Sequence, residues 1–398
     1  MTTRRSLFAL LAALFPGLSR GAAGPSTAEA VLSATPPANS AAVRRWVSPP
    51  NCYFAYPHTN SFLPGSNLPV IAGIDGTHIE LCEWNFQTGA TRPLYRTAAN
   101  NMYWDIAHNE GGLYLVEGRK FITRVGTGQN PAPNRLSLSS PPGQKLQGML
   151  SVSADGQRVV YGRECFASDG KSIQSASFDE LALGTGISTP LCDMPFNADH
   201  MQYCPHDESW IGFAHEGNDN LSHDRVWGLH HVPGAKPEPL WNEIAANGKP
   251  LIVGHERWAF HTTGALVVAY PDKLGHPCGL YFIDVPALDV RLVSASNYDW
   301  HCNISQDGQW AVVDTSPPHG QRQEEDGRII SDVVLVHIAS GQRQWIARSH
   351  PSPMGHPWHP HPHFSPDGRY VLYNDFAFDG AGSPGRVVAV ELAPSIPA

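Results

Sequence analysis

Charge is scarce in this sequence: 16% of its 398 residues are charged, and the excess is acidic, with 36 Asp and Glu against 27 Lys and Arg. That balance implies no nucleic-acid partner. It leaves room for an anionic ligand, because basic groups gathered in one cleft set the local field there. No long stretch carries a helical period. The seven cysteines (Cys52, Cys82, Cys165, Cys192, Cys204, Cys278 and Cys302) form no CxxC pair, and an odd count leaves at least one thiol unpaired. The apolar run from Leu7 to Phe15 is too short to span a membrane.

That run belongs to a different kind of segment. MTTRRSLFALLAALFPGLSRGAAG, residues 1–24, has a basic start, an apolar centre and small residues near Ala22 and Ala23, the plan of a cleaved export signal. Arg4 and Arg5 ahead of Ser6, Leu7 and Phe8 also match a twin-arginine signal, so a periplasmic or secreted protein is expected. Removing the leader takes away Arg4, Arg5 and Arg20 and moves the formal net charge from −9 to −12. Residues 25–45, rich in Ala, Ser and Pro, read as a linker.

What the chain does have is turns and strands. It holds 37 Gly and 35 Pro, yet 41% of it is hydrophobic, which predicts a globular fold rather than disorder. One phrase recurs: SADGQRVVYGRE (153–164), SQDGQWAVVDTS (305–316) and SPDGRYVLYNDF (365–376), each an Asp-Gly turn feeding alternating apolar residues. Weaker copies are PHDESWIGFAHE (205–216) and TTGALVVAYPD (262–272). A repeat near fifty residues with several strands per unit is the mark of β-propeller blades, whereas a pair of β-sandwiches lacks such a period. Residues 46–398 are thus expected to form an all-β, seven-bladed β-propeller, with VVAVELA (387–393) sharing a sheet with the N-terminal region to close the ring.

Propellers place function on the inner strands and at the central channel. Four segments from successive blades carry histidines to blade starts: HMQYCPHDESWIGFAHEG (200–217), GHERWAFH (254–261), DWHCNISQDG (299–308) and GHPWHPHPHFSPDG (355–368). In the last, His359, His361 and His363 alternate, so an extended backbone turns all three to one side. Pro360 and Pro362 confine that stretch to an edge, a bulge or a loop. Read from the residues alone it is either a metal site or a polar edge.

Motifs HxxxxPxD with HEG, DRVW, GHExW, WHxNxxxDG and HPHPxFxPDG, in that order, resemble those of the oligogalacturonate lyases of polysaccharide lyase family 22, which are seven-bladed propellers. The likeness covers residues 200–380 well and the first three blades loosely. It implies a divalent metal, manganese in that family, on His301, His359 and His361. It implies His255 as the Brønsted base and Arg225 opposite it. His356 stands where the family has a glutamine, and an all-imidazole set favours zinc or another late first-row metal over manganese. His363 matches a position that is not a ligand. Arg257 and His200 are candidate contacts for an acidic oligosaccharide substrate.

The chemistry explains the set. A uronate lyase removes the weakly acidic proton at C5, next to a carboxylate, and expels the oxygen on C4; a cation on that carboxylate offsets the growing charge. A neutral imidazole suits the proton transfer, while an arginine, which does not give up its proton, suits the carboxylate. The same residues also admit plainer roles, with Glu256 and Asp224 as structural partners of His255 and Arg225. The alternatives for the molecule are a lyase on another uronic-acid polysaccharide and a non-catalytic TolB-like periplasmic scaffold; only a lyase yields an unsaturated product.

Overall fold

The computed structural model describes residues 42–98, 102–128, 133–138, 140–216, 224–232, 234–244, 251–270, 278–315, 322–352 and 357–393. Residues 1–24, read above as an export signal, lie outside them. They build seven four-stranded antiparallel sheets, and among them no helix is long and apolar enough to cross a membrane.

The recurring Asp-Gly phrase folds the same way each time. Ser305 Oγ donates to Asp307 Oδ1 at 2.6 Å, the Gln309 N–H donates to the same oxygen at 3.0 Å, and Gly308 takes a left-handed φ of 71°. Ser153, Asp155 and Gly156 repeat this arrangement, as do Ser365, Asp367 and Gly368. The serine and aspartate tie the turn to its own backbone, and glycine accepts the positive φ that a side chain resists.

Blades one to six are continuous in sequence: 52–98, 105–137, 144–194, 198–239, 252–295 and 299–349. The seventh is composite. Strands from 363–392 supply three of its members, and Ala42–Val47 adds the fourth by pairing antiparallel with Arg386–Leu392. The ring therefore closes as expected, although the closing strand begins at Ala42, inside the stretch read as linker.

Alternation on the middle strands buries apolar residues between neighbouring blades. Among the described residues there are seven hydrophobic clusters, and each joins two adjacent blades; one packs Val333 and Leu335 of blade six against Val388 and Val390 of blade seven. A core divided in this way holds the blades as a ring and leaves their innermost strands facing the central channel.

Candidate metal and catalytic site

Where an inner strand ends, one backbone N–H bonds across the hairpin that follows. That residue is Ala107 in blade two, then Ser153, Cys204, Ala259, Ser305 and Ser365 in blades three to seven. Four residues ahead of each stands Tyr103, Met149, His200, His255, His301 and His361 in turn. Six blades thus present the same structural position to the channel, and the last four present histidine. Tyr103, Met149, His200 and His255 line one cleft of about 400 Å³.

Bulges aim these side chains. The ladder of the inner strand slips between Asp199 and Gln202, between Gly254 and Glu256, and between Asp299 and Cys302, so His200, His255 and His301 all lie in unpaired stretches. A bulge turns a side chain away from the regular pleat. His200 and His361 also hold left-handed backbones, with φ of 60° and 47°. For a non-glycine residue this conformation is sparsely populated and persists where its surroundings enforce it.

His301, His359 and His361 each bring a ring nitrogen to within 4.8 Å of the others. Asp314 organises two of them: its carboxylate accepts the His301 N–H at 2.7 Å and the His361 N–H at 3.2 Å, and lies 2.8 Å from His301 Nδ1. With Asp314 ionised, Nδ1 carries the ring proton and Nε2 is the ligand atom. That Nε2 is buried and has no hydrogen-bond partner among the described residues. Burial also drives the His301 pKa well below the ordinary histidine value, and the neutral ring is the form that binds metal. Burial pushes the Asp314 carboxyl up to about 8 against the pull of its backbone donors. A cation on His301 would act with those donors. Asn374 secures the remaining ligand loop, its Nδ2 donating to His359 O at 3.0 Å and its backbone N–H to Pro360 O at 2.7 Å. The donor set fits a divalent first-row ion.

His255 sits beside this triad, its ring centroid 4.1 Å from that of His301 and 6.2 Å from that of His200. Its Nδ1 meets the Tyr270 hydroxyl, which donates its one proton to Trp300 O at 3.2 Å. The hydroxyl must then accept from His255 Nδ1–H, which leaves the lone pair on Nε2. Gly254 makes the contact possible: a Cβ there would lie 2.2 Å from the Tyr270 ring.

Across the cleft, Arg225 donates from Nη2 to Glu216 Oε1 at 2.8 Å, and its Nε stands 3.9 Å from Glu256 Oε2. Its backbone N–H is anchored on Glu243 Oε1 at 2.8 Å. Burial works against its charge, but Glu216 and Glu256 more than restore it and raise its pKa. His200 behaves likewise: desolvation lowers its pKa, and Glu256, Glu216 and Asp199 together lift it above the ordinary value. Asp199 itself is pushed up to about 6 by burial.

No protein-family model matches the chain. It is 26% identical over 385 residues to the oligogalacturonide lyase of Pectobacterium atrosepticum, an alignment that spans 86% of this chain and 92% of the relative. The sequence is thus similar to that of an oligogalacturonide lyase along most of both chains. The fold agrees. An oligogalacturonate lyase solved in complex with manganese superposes with a TM-score of 0.73 at 18% identity, covering 87% of this chain and 91% of its own. The oligogalacturonate lyase of Vibrio parahaemolyticus gives 0.73 at 17% identity, covering 87% and 92%. Blades one to three, where the motif likeness is loose, thus fall within a resemblance that runs along most of the chain.

Set beside these lyases, the expected residues divide into two groups. The structure brings His301, His359, His361, His255, Arg225 and His200 around the channel; His356 lies outside the described residues. Arg257 goes elsewhere. It is buried, donates to His58 O at 2.8 Å and stacks over Phe260, lining a small separate pocket with His108 and His363. Its work is to hold a turn, because His58 belongs to Tyr56–Pro57–His58–Thr59, which Asn303 and His363 also bind through Pro57 O and Tyr56 O at 2.9 and 3.0 Å.

That turn was not legible in the sequence. It carries Tyr56, whose ring lies 4.8 Å from His361, 5.1 Å from His200 and 6.3 Å from His301, at the middle of the histidines. In blade one the Asp-Gly turn, Asp75 and Gly76, joins the second and third strands instead of following the first, so nothing marked CYFAYPHTN as the start of an inner strand. Tyr270 and Asp314 were missed for another reason: they sit on second strands and act through a histidine.

Proposed function

We propose that this protein is a lyase that cleaves oligogalacturonate by metal-assisted β-elimination. The observation that carries the reading is the placing of His255 Nε2, with its lone pair fixed by Tyr270, beside the His301, His359 and His361 triad and within reach of Arg225 across one cleft. A divalent cation on the triad supplies a positive charge that withdraws electrons from the substrate carboxylate.

His255 takes the C5 proton on Nε2. The electron pair of the C5–H bond becomes the C4–C5 double bond, the C4–O bond breaks, and the leaving oxygen gains a proton from solvent. Arg225, held in its charged form, forks onto a uronate carboxylate and orients the sugar. Charge supports a role for the metal. Asp199, Glu216 and Glu256 outnumber Arg225 and His200 around the cleft, so a polyanion gains little there without added positive charge.

Three histidine nitrogens suit zinc or another late first-row metal as well as manganese, and His356 would strengthen that preference. The leader at residues 1–24 supports action outside the cytoplasm.

The test is formation of the conjugated unsaturated uronide, followed by absorbance, before and after chelation. We expect chelator-sensitive product from oligogalacturonate, and a fall in turnover of about 10²–10⁴-fold in His255→Ala at unchanged metal content. Product from another polyuronate alone would move the substrate. Full activity in His255→Ala would remove His255 from the mechanism.

A further inference from the structure

We propose that the protein holds a second divalent cation, on His58, His200 and Glu256. The three groups bring one ligand atom each to within 4.8 Å of one another, and all three are buried. They come from three blades: His58 from the turn after the first inner strand of blade one, His200 from the bulge of blade four, and Glu256 from the strand Ile252–Trp258 of blade five.

Glu256 is the second line of evidence. Its side chain is 0% exposed, and neither carboxylate oxygen has a hydrogen-bond partner among the described residues. A buried carboxylate normally collects several donors, since leaving it without them costs several kcal/mol or more. Its neighbours are instead at ion-pair range: His200 Nδ1 at 3.3 Å from Oε1 and Arg225 Nε at 3.9 Å from Oε2. A cation between His58, His200 and Oε1 would take the place of the first contact and leave the second on the other oxygen.

The surrounding charge also matches. Three carboxyl groups, Asp199, Glu216 and Glu256, gather here against the one guanidinium of Arg225. Two imidazoles and one carboxylate form a donor set known for zinc, with room for a further ligand. The further ligand would come from the cleft, which His200 lines. Every sugar of an oligouronide carries a carboxylate, so a second cation would grip the residue next to the one being cleaved. That role rests on the lyase reading; the existence of the site does not.

The experiment is metal content. Full-length protein is stripped with chelator, reconstituted with zinc or with manganese, desalted and measured by elemental analysis. We expect two ions per chain in the wild type, one in Glu256→Gln, one in His301→Ala and none in the double variant. One ion in the wild type that only His301→Ala removes would overturn the proposal, as would two ions in Glu256→Gln. One ion in the wild type that Glu256→Gln removes and His301→Ala keeps would support this site and sink the metal triad of the lyase reading. Should Glu256→Gln lose both, His58→Gln decides: retention of one ion supports the site, and retention of both or of neither overturns it.

Discussion

Tyr270 governs a choice between two nitrogens. Its hydroxyl has one proton, given to Trp300 O, so it fixes Nδ1–H on His255 and directs the lone pair towards the cleft. In Tyr270→Phe the ring keeps its packing but loses that direction. We expect kcat to fall about tenfold with KM nearly unchanged, and the acid-limb pKa of the kcat profile to move, which a purely structural change would not do. Glu243 gives a prediction at the same scale. It is fully buried beneath Arg225, and burial pushes its carboxyl from 4.5 up to about 7. A raised acid pKa in the fold means that the folded state holds the proton longer than the unfolded chain. Its contribution to stability is therefore present below about 4.5 and is lost as pH rises through about 7. Glu243→Gln should flatten the decline in melting temperature over that window, read by thermal melts from pH 4 to 8.

At the level of strands, the bulges decide more than the strands themselves. A regular pleat would alternate His255 and Glu256 between faces and put Arg257 back beside His255; the slip between Gly254 and Glu256 sends Arg257 to the His58 turn instead. The sequence shows that histidines fall near blade starts, and the motif resemblance singled out His301, His361 and His255 among them. It does not show where a ladder slips, which is why Arg257 looked like a substrate contact and Glu256 like a bystander. Gly254 is the exception, a sequence-visible sign of close approach. Gly254→Ala would drive a methyl into the Tyr270 ring, so we expect a loss of stability of about 1–3 kcal/mol and a turnover at or below that of Tyr270→Phe. Denaturant unfolding and a kinetic comparison of the two variants check this.

For the whole molecule, the ring was readable because one hairpin repeats its chemistry, Ser and Asp tying the turn and Gly taking the positive φ, in blades three, six and seven. Blades one and two use other turns, and there the reading faded. Closure joins Ala42–Val47 to Arg386–Leu392. A chain starting at residue 48 would leave Arg386–Leu392 as an open sheet edge, and we expect it to melt several degrees lower and to aggregate more readily than the full chain, as followed by scattering on heating.

The same pairing sets a clock for biosynthesis. The first of the described strands to leave the ribosome is the last to find its partner, because that partner is made more than 300 residues later. Until then six blades stand as an open arc, each stabilised by its neighbour but with both end sheets bare. Were the protein exported unfolded, the closing step would fall outside the cell; were it exported folded, two strands more than 300 residues apart would have to pair first.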